Sequence, residues 1–505
     1  MRAATIEHLV CPYTGGPLVL DTVAARSGDD IDYGLVRGES FEFPIVAGVL
    51  LLGLGKGYGG HEEALAPYVP IQAAAVDYLR RGDVEGLLRW LRAHSPLVHR
   101  LAIGGFDDYE HFAVESHIRS ARLEAAALAA DADYGVLGDI GVRRRLARAL
   151  PAPVAARAHR RLAVVRARAA AARARRSPNT VLDGSFYAQR FYSPRAAATA
   201  LQVARLPIGS RVLSLCGGHG MFENLLARSG RIPEHLVCLD GQLINLLAVK
   251  RFVTAEIDAI CSDAQFHLPF RDGSFDAVFS STCLPEIPAQ AHFIRESIRV
   301  TDAAGWTMFD SMWALDSGVL RCDPYRPYRY LQNFLPRVRD YRAVIDRFAG
   351  ARTAGYAISR RPADLLDGPR WAFEDERIIA ELSDPVDTEL NALVIDRERF
   401  PGFVDADHSA LAGALSPSPA YRVERGPDAG ARLRRRPEFD VLSPVFASSD
   451  FAGLPGSVEL GATDGHTRRL ELFAAGALAA LPIGYRREQR DDHAGPHGQG
   501  LPVTR

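Results

Sequence analysis

The chain predicts an α/β fold with a mostly parallel sheet and helices on both faces, and three observations predict it. The first is an apolar run, Arg211-Val-Leu-Ser-Leu-Cys, followed at once by Gly217-Gly218-His219-Gly220 and the helical stretch Met221 to Arg228. A run this short and continuous reads as a strand buried on both faces, as parallel strands are. The second is another such run, His235-Leu-Val-Cys-Leu, ending in Asp240 twenty residues beyond Gly220. The third is a pair of further units, Ile260-Cys-Ser-Asp263-Ala264 and Leu268-Pro-Phe-Arg-Asp-Gly-Ser-Phe-Asp276-Ala-Val-Phe-Ser280, with Trp306 to Asp310 as a fifth strand. Strands alternating with helices in this order build βαβ units.

Each unit brings groups to the carboxyl end of the sheet, where open α/β sheets bind ligands. Glycines at 217, 218 and 220 let backbone amides approach a ligand closely at a helix N-terminus. The carboxylate of Asp240, at a strand end, can accept two hydrogen bonds from a ribose diol. Taken singly, the glycines also suit any tight turn, and Asp240 or Asp263 any solvated strand end. The order of the units carries the reading.

The set VLSLCGGHG, CLDGQ, SDAQFHLPFRDGSFDAVFSS and RESIRVTDAAGWTMFD resembles the successive motifs of class I S-adenosylmethionine-dependent methyltransferases, especially the ubiquinone and menaquinone biosynthesis branch. The resemblance implies a Rossmann-like sheet and S-adenosylmethionine as cofactor. It places the cofactor against Leu215, Cys216, Gly217, Gly218, Gly220, Asp240, Gly241, Ser262, Asp263, Ala264 and Ser280. Two positions depart from the pattern: Ser214 stands where the family has an acid, and Cys216 where it has its first glycine. Ser214 cannot offer a charge to the methionine amino group. Either another carboxylate such as Glu223 or backbone carbonyls hold that end, or affinity is reduced. The turn Arg299-Val-Thr-Asp-Ala-Ala-Gly305 is an eroded form of the family's Arg-Val-Leu-Lys-Pro-Gly-Gly.

At 505 residues the chain is too long for one ordinary core. Hydrophobic content of 47% and charged content of 24% fit a globular protein. A net charge of −1 argues against nucleic acid as a partner of the whole molecule. Lys56 and Lys250 are the only lysines, a bias toward arginine that suggests a GC-rich coding sequence rather than a function. The six cysteines, Cys11, Cys216, Cys238, Cys261, Cys283 and Cys322, show no CxxC pair, so no metal site is expected and reduced thiols are. Residues 1–10 lack the features of a signal peptide, and the greasiest run, Ile45 to Leu54, is too short to span a bilayer. The expected location is the cytoplasm.

Residues 1–55 read as short strands and turns. Cys11-Pro-Tyr-Thr14 and Phe43-Pro-Ile-Val-Ala-Gly-Val resemble the zinc-ribbon-like activating subunit of tRNA and release-factor methyltransferases, with Thr14 in place of the second cysteine. The resemblance implies a degenerate domain that gates substrate or binds a partner; a folded remnant is the other reading. Residues 56–205 read as helical, with apolar residues at three- and four-residue steps in Val84-Glu-Gly-Leu-Leu-Arg-Trp-Leu. Arginines crowd the acid-free stretch from Gly141 to Thr180, which reads first as a solvated face. Tyr187 and Tyr192 precede the 206–400 methyltransferase unit and either line its mouth or pack in the core. Arg339 to Phe348 reads as a helix and Asn391 to Asp396 as a final strand, with a tyrosine- and arginine-rich segment from Asp323 to Tyr330 between strand five and that helix. Residues 401–485 suggest a small helical or winged-helix-like unit, and 486–505 a disordered tail.

The implied reaction is methyl transfer to a small-molecule or peptide acceptor, with a bulky secondary metabolite favoured by the extra domains. The cofactor's sulfonium already activates the methyl group, so the protein has to align the acceptor and, where needed, remove a proton. His219, Cys283 and Glu286 lie near the relevant strand ends, but each has a plainer reading as a loop, packing or helix-start residue. Association of copies stays open. Two other classes compete: a degenerate scaffold that no longer uses the cofactor, and a nicotinamide-dependent oxidoreductase, which the SDA and LPFRDGSFDAVFSS motifs disfavour.

Overall fold

The computed structural model describes residues 1–53, 68–109, 111–113, 191–192, 194–284, 287–312, 338–350, 353–359, 366, 371–372, 389–395, 408–425, 430–436, 454–461, 463–482 and 485. The arginine-crowded stretch, Tyr187, Glu286, Cys322, the Asp323 to Tyr330 segment and the tail from 486 lie outside these residues.

Twelve strands form one mixed sheet. In chain order they are β1 (Val19–Ser27), β2 (Asp30–Arg37), β3 (Glu42–Val46), β4 (Val49–Leu51), β5 (Arg211–Leu215), β6 (His235–Asp240), β7 (Asp258–Cys261), β8 (Phe275–Ser281), β9 (Thr301–Met312), β10 (Thr353–Ser359), β11 (Trp371–Ala372) and β12 (Glu389–Ile395). Their spatial order is β1-β2-β3-β4-β7-β6-β5-β8-β9-β12-β10-β11. From β4 to β9 the neighbours are parallel. An antiparallel meander flanks this block on one side and the antiparallel strands β12, β10 and β11 on the other. The expected α/β architecture is therefore present. The chain leaves β5 toward β6 and β7, then returns to its other side with β8, so the strand order reverses beside β5 and opens a crevice there.

The described helices are α1 (Ala3–Ile6), α2 (Tyr68–Leu79), α3 (Val84–His94), α4 (Pro96–Ala102), α5 (Pro194–Val203), α6 (Met221–Arg228), α7 (Leu243–Phe252), α8 (Gln290–Val300), α9 (Val338–Ala349), α10 (Ser409–Ala414) and α11 (His466–Ala474). Alternation along the strands separates two apolar cores. One face carries Val212, Cys238, Ala277, Phe279 and Met308 against α3 to α7. The other carries Leu213, Leu215, Val237, Leu239 and Val278 against Phe293 and Ile294 of α8 and Tyr341 and Ile345 of α9. Asp83 caps α3 by accepting from Gly86 N at 2.7 Å, while Leu87 and Leu91 bury its inner stripe.

The greasy run near residue 50 is a central strand. Val49, Leu50 and Leu51 pair with Ala259, Ile260 and Cys261, so the N-terminal strands continue the parallel block. Asp258, 0% exposed, secures this seam. It accepts from Arg2 N and Arg2 Nε, both at 2.8 Å, and from Thr5 Oγ1 at 2.6 Å.

Beyond residue 407 the described chain mixes helices with short strands: β13 (Ser416–Pro417) pairs with β17 (Leu478–Ala479), and β14 (Tyr421–Arg425), β15 (Ala431–Arg435) and β16 (Ser457–Leu460) form an antiparallel sheet. This unit docks on α6, where Asn224 Nδ2 donates to Ala480 O at 2.7 Å and Arg228 Nε to Leu481 O at 2.9 Å. Among the described helices none is long and apolar enough to cross a membrane.

Candidate functional site

The register brings four strand ends to one level. Leu215 pairs with Leu239 on β6 and with Ser280 on β8; Asp240 pairs with Cys261, and Ser281 with Asp310. One residue past that row, Cys216, Asp240, Ser281 and Asp310 share the carboxyl edge of the sheet. Immediately after β5 the chain turns through left-handed conformations at Cys216 (φ 56°), Gly218 (56°) and Gly220 (82°). For Cys216 this costs about 1–2 kcal/mol relative to a right-handed conformation. The turn is bound to β6, since Cys216 N donates to Leu239 O at 2.7 Å. No larger residue fits at two of its glycines. A Cβ on Gly217 would lie 2.6 Å from Cys238 Sγ and 2.9 Å from Glu223 Oε1, and one on Gly220 2.8 Å from Val249 Cγ2.

Asp240, 7% exposed, organises the cleft. One carboxylate oxygen accepts from Gly218 N at 2.9 Å; the other accepts from Gln242 N at 2.8 Å and Asn245 Nδ2 at 3.0 Å. These three donors fix the carboxylate at the carboxyl end of β6, facing the glycine turn on one side and the start of α7 on the other. Next to it, a Cβ on Gly241 would meet nothing within 4 Å, so the wall there is open. Ser262 N donates to Asp240 O at 3.1 Å, which sets the following turn beside the cleft. In that turn burial holds the Asp263 carboxyl above its usual range, against a 2.9 Å hydrogen bond from Gln265 N that lowers it. Ala264 is buried below it, and Ser280 Oγ is buried with no hydrogen-bond partner among the described residues.

A polar cradle, a strand-end carboxylate and a strand-order reversal describe a nucleoside site, and residues 213–309 match the methyltransferase domain family. This segment is a class I methyltransferase domain. With it the protein is a methyltransferase, and its cofactor is S-adenosylmethionine. Among curated proteins none matches the chain by sequence. Several solved structures resemble part of it. An S-adenosylmethionine-dependent methyltransferase from Thermotoga maritima, described as a possible histamine N-methyltransferase, has 12% identity and a TM-score of 0.29 over 41% of this chain and 90% of that one. One from Mesorhizobium loti has 20% identity and a TM-score of 0.27 over 39% and 96%. The plantazolicin methyltransferase BamL, bound to a triazolic desmethylPZN analog and SAH, has 11% identity and a TM-score of 0.32 over 42% and 89%.

Around the methyltransferase domain's cleft lie residues whose placement the sequence left open. His219 is buried, with Nδ1 2.7 Å from the hydroxyl of Tyr109 and the rings of Tyr109 and Phe112 against it, so it anchors the glycine turn to the helical segment. Tyr192 is likewise buried in the core. The Cys283 thiol hydrogen-bonds the Cys216 thiol and, together with burial, pushes it well above the usual thiol range. Cys216 is thereby unsuited to act as a base. Asp310 was not singled out by sequence. It accepts from Thr199 Oγ1 at 2.9 Å and Ser281 Oγ at 2.8 Å, tying α5 to the strand end. Its only signal in the sequence was an acid near the end of an apolar run, as at Asp240. Asn245 and Tyr109 gave no signal, because tertiary contact alone brings them to the turn.

Proposed function

We propose that this methyltransferase transfers the cofactor's methyl group to a bulky small-molecule or peptide acceptor, a secondary metabolite being the favoured class. The observation that carries this reading is the origin of the cleft's surroundings. Tyr109, Thr199 and Ala480, from segments before and after the methyltransferase domain, contact respectively its glycine turn, its β9 end and the helix that follows the turn. A small acceptor needs no such enclosure, whereas a bulky one has to be held away from the reacting atom.

The residues fit the cofactor. The bare Gly217 and Gly220 leave a backbone cradle, Gly241 opens the wall beside Asp240, and the Asp240 carboxylate stands at the strand end where a ribose diol would sit. Leu215, Cys216, Gly217, Gly218 and Gly220 would form the floor. Asp240 with Gly241 would hold the ribose, and Ser262, Asp263, Ala264 and Ser280 would complete the wall. When bound, the cofactor supplies a methyl group already activated by its sulfonium. The chain's part is to orient the two reactants and exclude water. The segments 1–55, 56–205 and 401–485 would shape access to the edge between β8 and β9 or bind a partner, in the cytoplasm.

Calorimetry of the full chain with S-adenosylmethionine tests the reading first. Micromolar binding is expected, and no binding would leave only a scaffold. Untargeted comparison of metabolites and small peptides between a deletion strain and its parent then identifies the acceptor. A species gaining one methyl group in the parent alone is the expected result.

A further inference from the structure

Glu223 lies in the first turn of α6 and is 0% exposed. Neither carboxylate oxygen completes a well-aligned hydrogen bond among the described residues, although the Cys238 thiol, the Ser214 hydroxyl and its own backbone amide lie close enough to lower its carboxyl value in part. Its polar neighbours are Ser214 from β5 and Cys238 and Asp240 from β6. A Cβ on Gly217 would sit 2.9 Å from Glu223 Oε1, so the carboxyl lies beneath the middle of the glycine turn, against a residue without a side chain. An ionised carboxylate in such a place costs several kcal/mol unless a cation or donors reach it. Burial accordingly pushes the Glu223 carboxyl above its usual range, and the nearby Asp240 charge adds to this. Burial also keeps the Cys238 thiol protonated and uncharged, and none of the described groups that act on Glu223 is cationic.

We infer that Glu223 is a proton-linked cation site of the cofactor cleft: it keeps its proton while the cleft is empty and releases it when the cofactor's ammonium settles over the glycine turn. The inference rests on the methyltransferase reading. The step balances, since the neutral acid and the cationic ligand give a carboxylate–ammonium pair and one proton in solvent. Ser214 leaves the adjoining strand position without charge, and Glu223 supplies it from the helix. Affinity therefore rises as pH rises through the Glu223 value of the empty protein. It falls again where the ligand's amino group loses its proton, at about pH 8 for an α-amino group.

The test is calorimetry of the full chain below that upper limit, in buffers of different ionisation enthalpy. One probe is S-adenosylhomocysteine, which carries the ammonium, and the other 5′-methylthioadenosine, which lacks it. Wild-type protein is expected to release up to one proton per S-adenosylhomocysteine bound and none with 5′-methylthioadenosine. Glu223→Gln is expected to bind 5′-methylthioadenosine as before, to release no proton, and to bind S-adenosylhomocysteine about tenfold more weakly. The wild-type proton count stands even if the variant does not fold. Wild-type binding of S-adenosylhomocysteine without proton release, or the same release from Glu223→Gln, overturns the assignment of Glu223. Failure of wild-type protein to bind either probe removes the cofactor reading, and this inference with it.

Discussion

Asp240→Asn should weaken cofactor binding far more than its small change in shape suggests. In the native cleft one carboxylate oxygen faces the Gly218 amide and the other faces the Gln242 amide and Asn245 Nδ2. Whichever oxygen becomes an amide nitrogen, a donor then points at a donor. Lost charge-assisted hydrogen bonds cost about 1.5–3 kcal/mol each. In the proposed cofactor site the acid would also accept from the ligand diol, so at least one such bond to the cofactor should weaken as well. A loss of about 1.5–3 kcal/mol in binding corresponds to roughly 10- to 150-fold in Kd. Because the same group holds the Gly218 amide, part of the cost should also appear in the unliganded protein as a lower Tm. Calorimetry with S-adenosylhomocysteine and thermal unfolding of both proteins measure the two. A folded Asp240→Asn protein with wild-type affinity would refute the reasoning.

Arg2→Ala removes the side-chain partner of the buried Asp258 carboxylate but leaves the Arg2 amide and Thr5 bonds in place. Because that arginine side chain is 30% exposed, the loss should fall near the lower end of the range for breaking a buried pair, about 2–3 kcal/mol in denaturant unfolding. A change below about 0.5 kcal/mol would show that the seam does not depend on this pair. For Glu223, the raised carboxyl value means that the folded state binds a proton more tightly than the unfolded chain. Stability of the cofactor-free protein should therefore fall as pH rises above the ordinary carboxylate value of 4.5 toward the raised one, and level off beyond it. Glu223→Gln should remove this slope from pH-dependent unfolding curves, and an identical slope in both proteins would contradict it.

The parts of the fold legible in sequence were those where local pattern and tertiary burial agree. Strands β5 and β6 are buried on both faces and so appear as nearly unbroken apolar runs, and the helix Met221–Arg228 falls where its glycine turn predicts. The predicted helix near 339–348 and the final strand near 391–396 are likewise found at Val338–Ala349 and Glu389–Ile395. The pairing of β4 with β7 left no such trace, because main-chain hydrogen bonds between strand edges do not depend on side-chain identity. The small C-terminal strands were illegible for another reason. In Ala431–Arg435 only Leu433 among its residues is fully buried, which is too little apolar periodicity to show. At the site, Asp240 was readable from its place at a strand end. Asn245, Asp310 and Tyr109 were not, because their roles arise from residues distant in sequence that meet only in the folded chain.

The seam at β4 also fixes an order of events during synthesis. Asp258 follows Arg2 by 256 positions, so the strand that completes the N-terminal edge leaves the ribosome long after that edge has formed. Between Leu51 and Asp258, at roughly 5–20 residues per second, the delay is on the order of 10 to 40 seconds. During that time the backbone groups of Val49, Leu50 and Leu51 that later pair with β7 lack those partners, on an apolar strand able to join another nascent chain. Conditions that slow elongation between these two points should lower the soluble yield of this protein without changing the stability of the molecules that do fold.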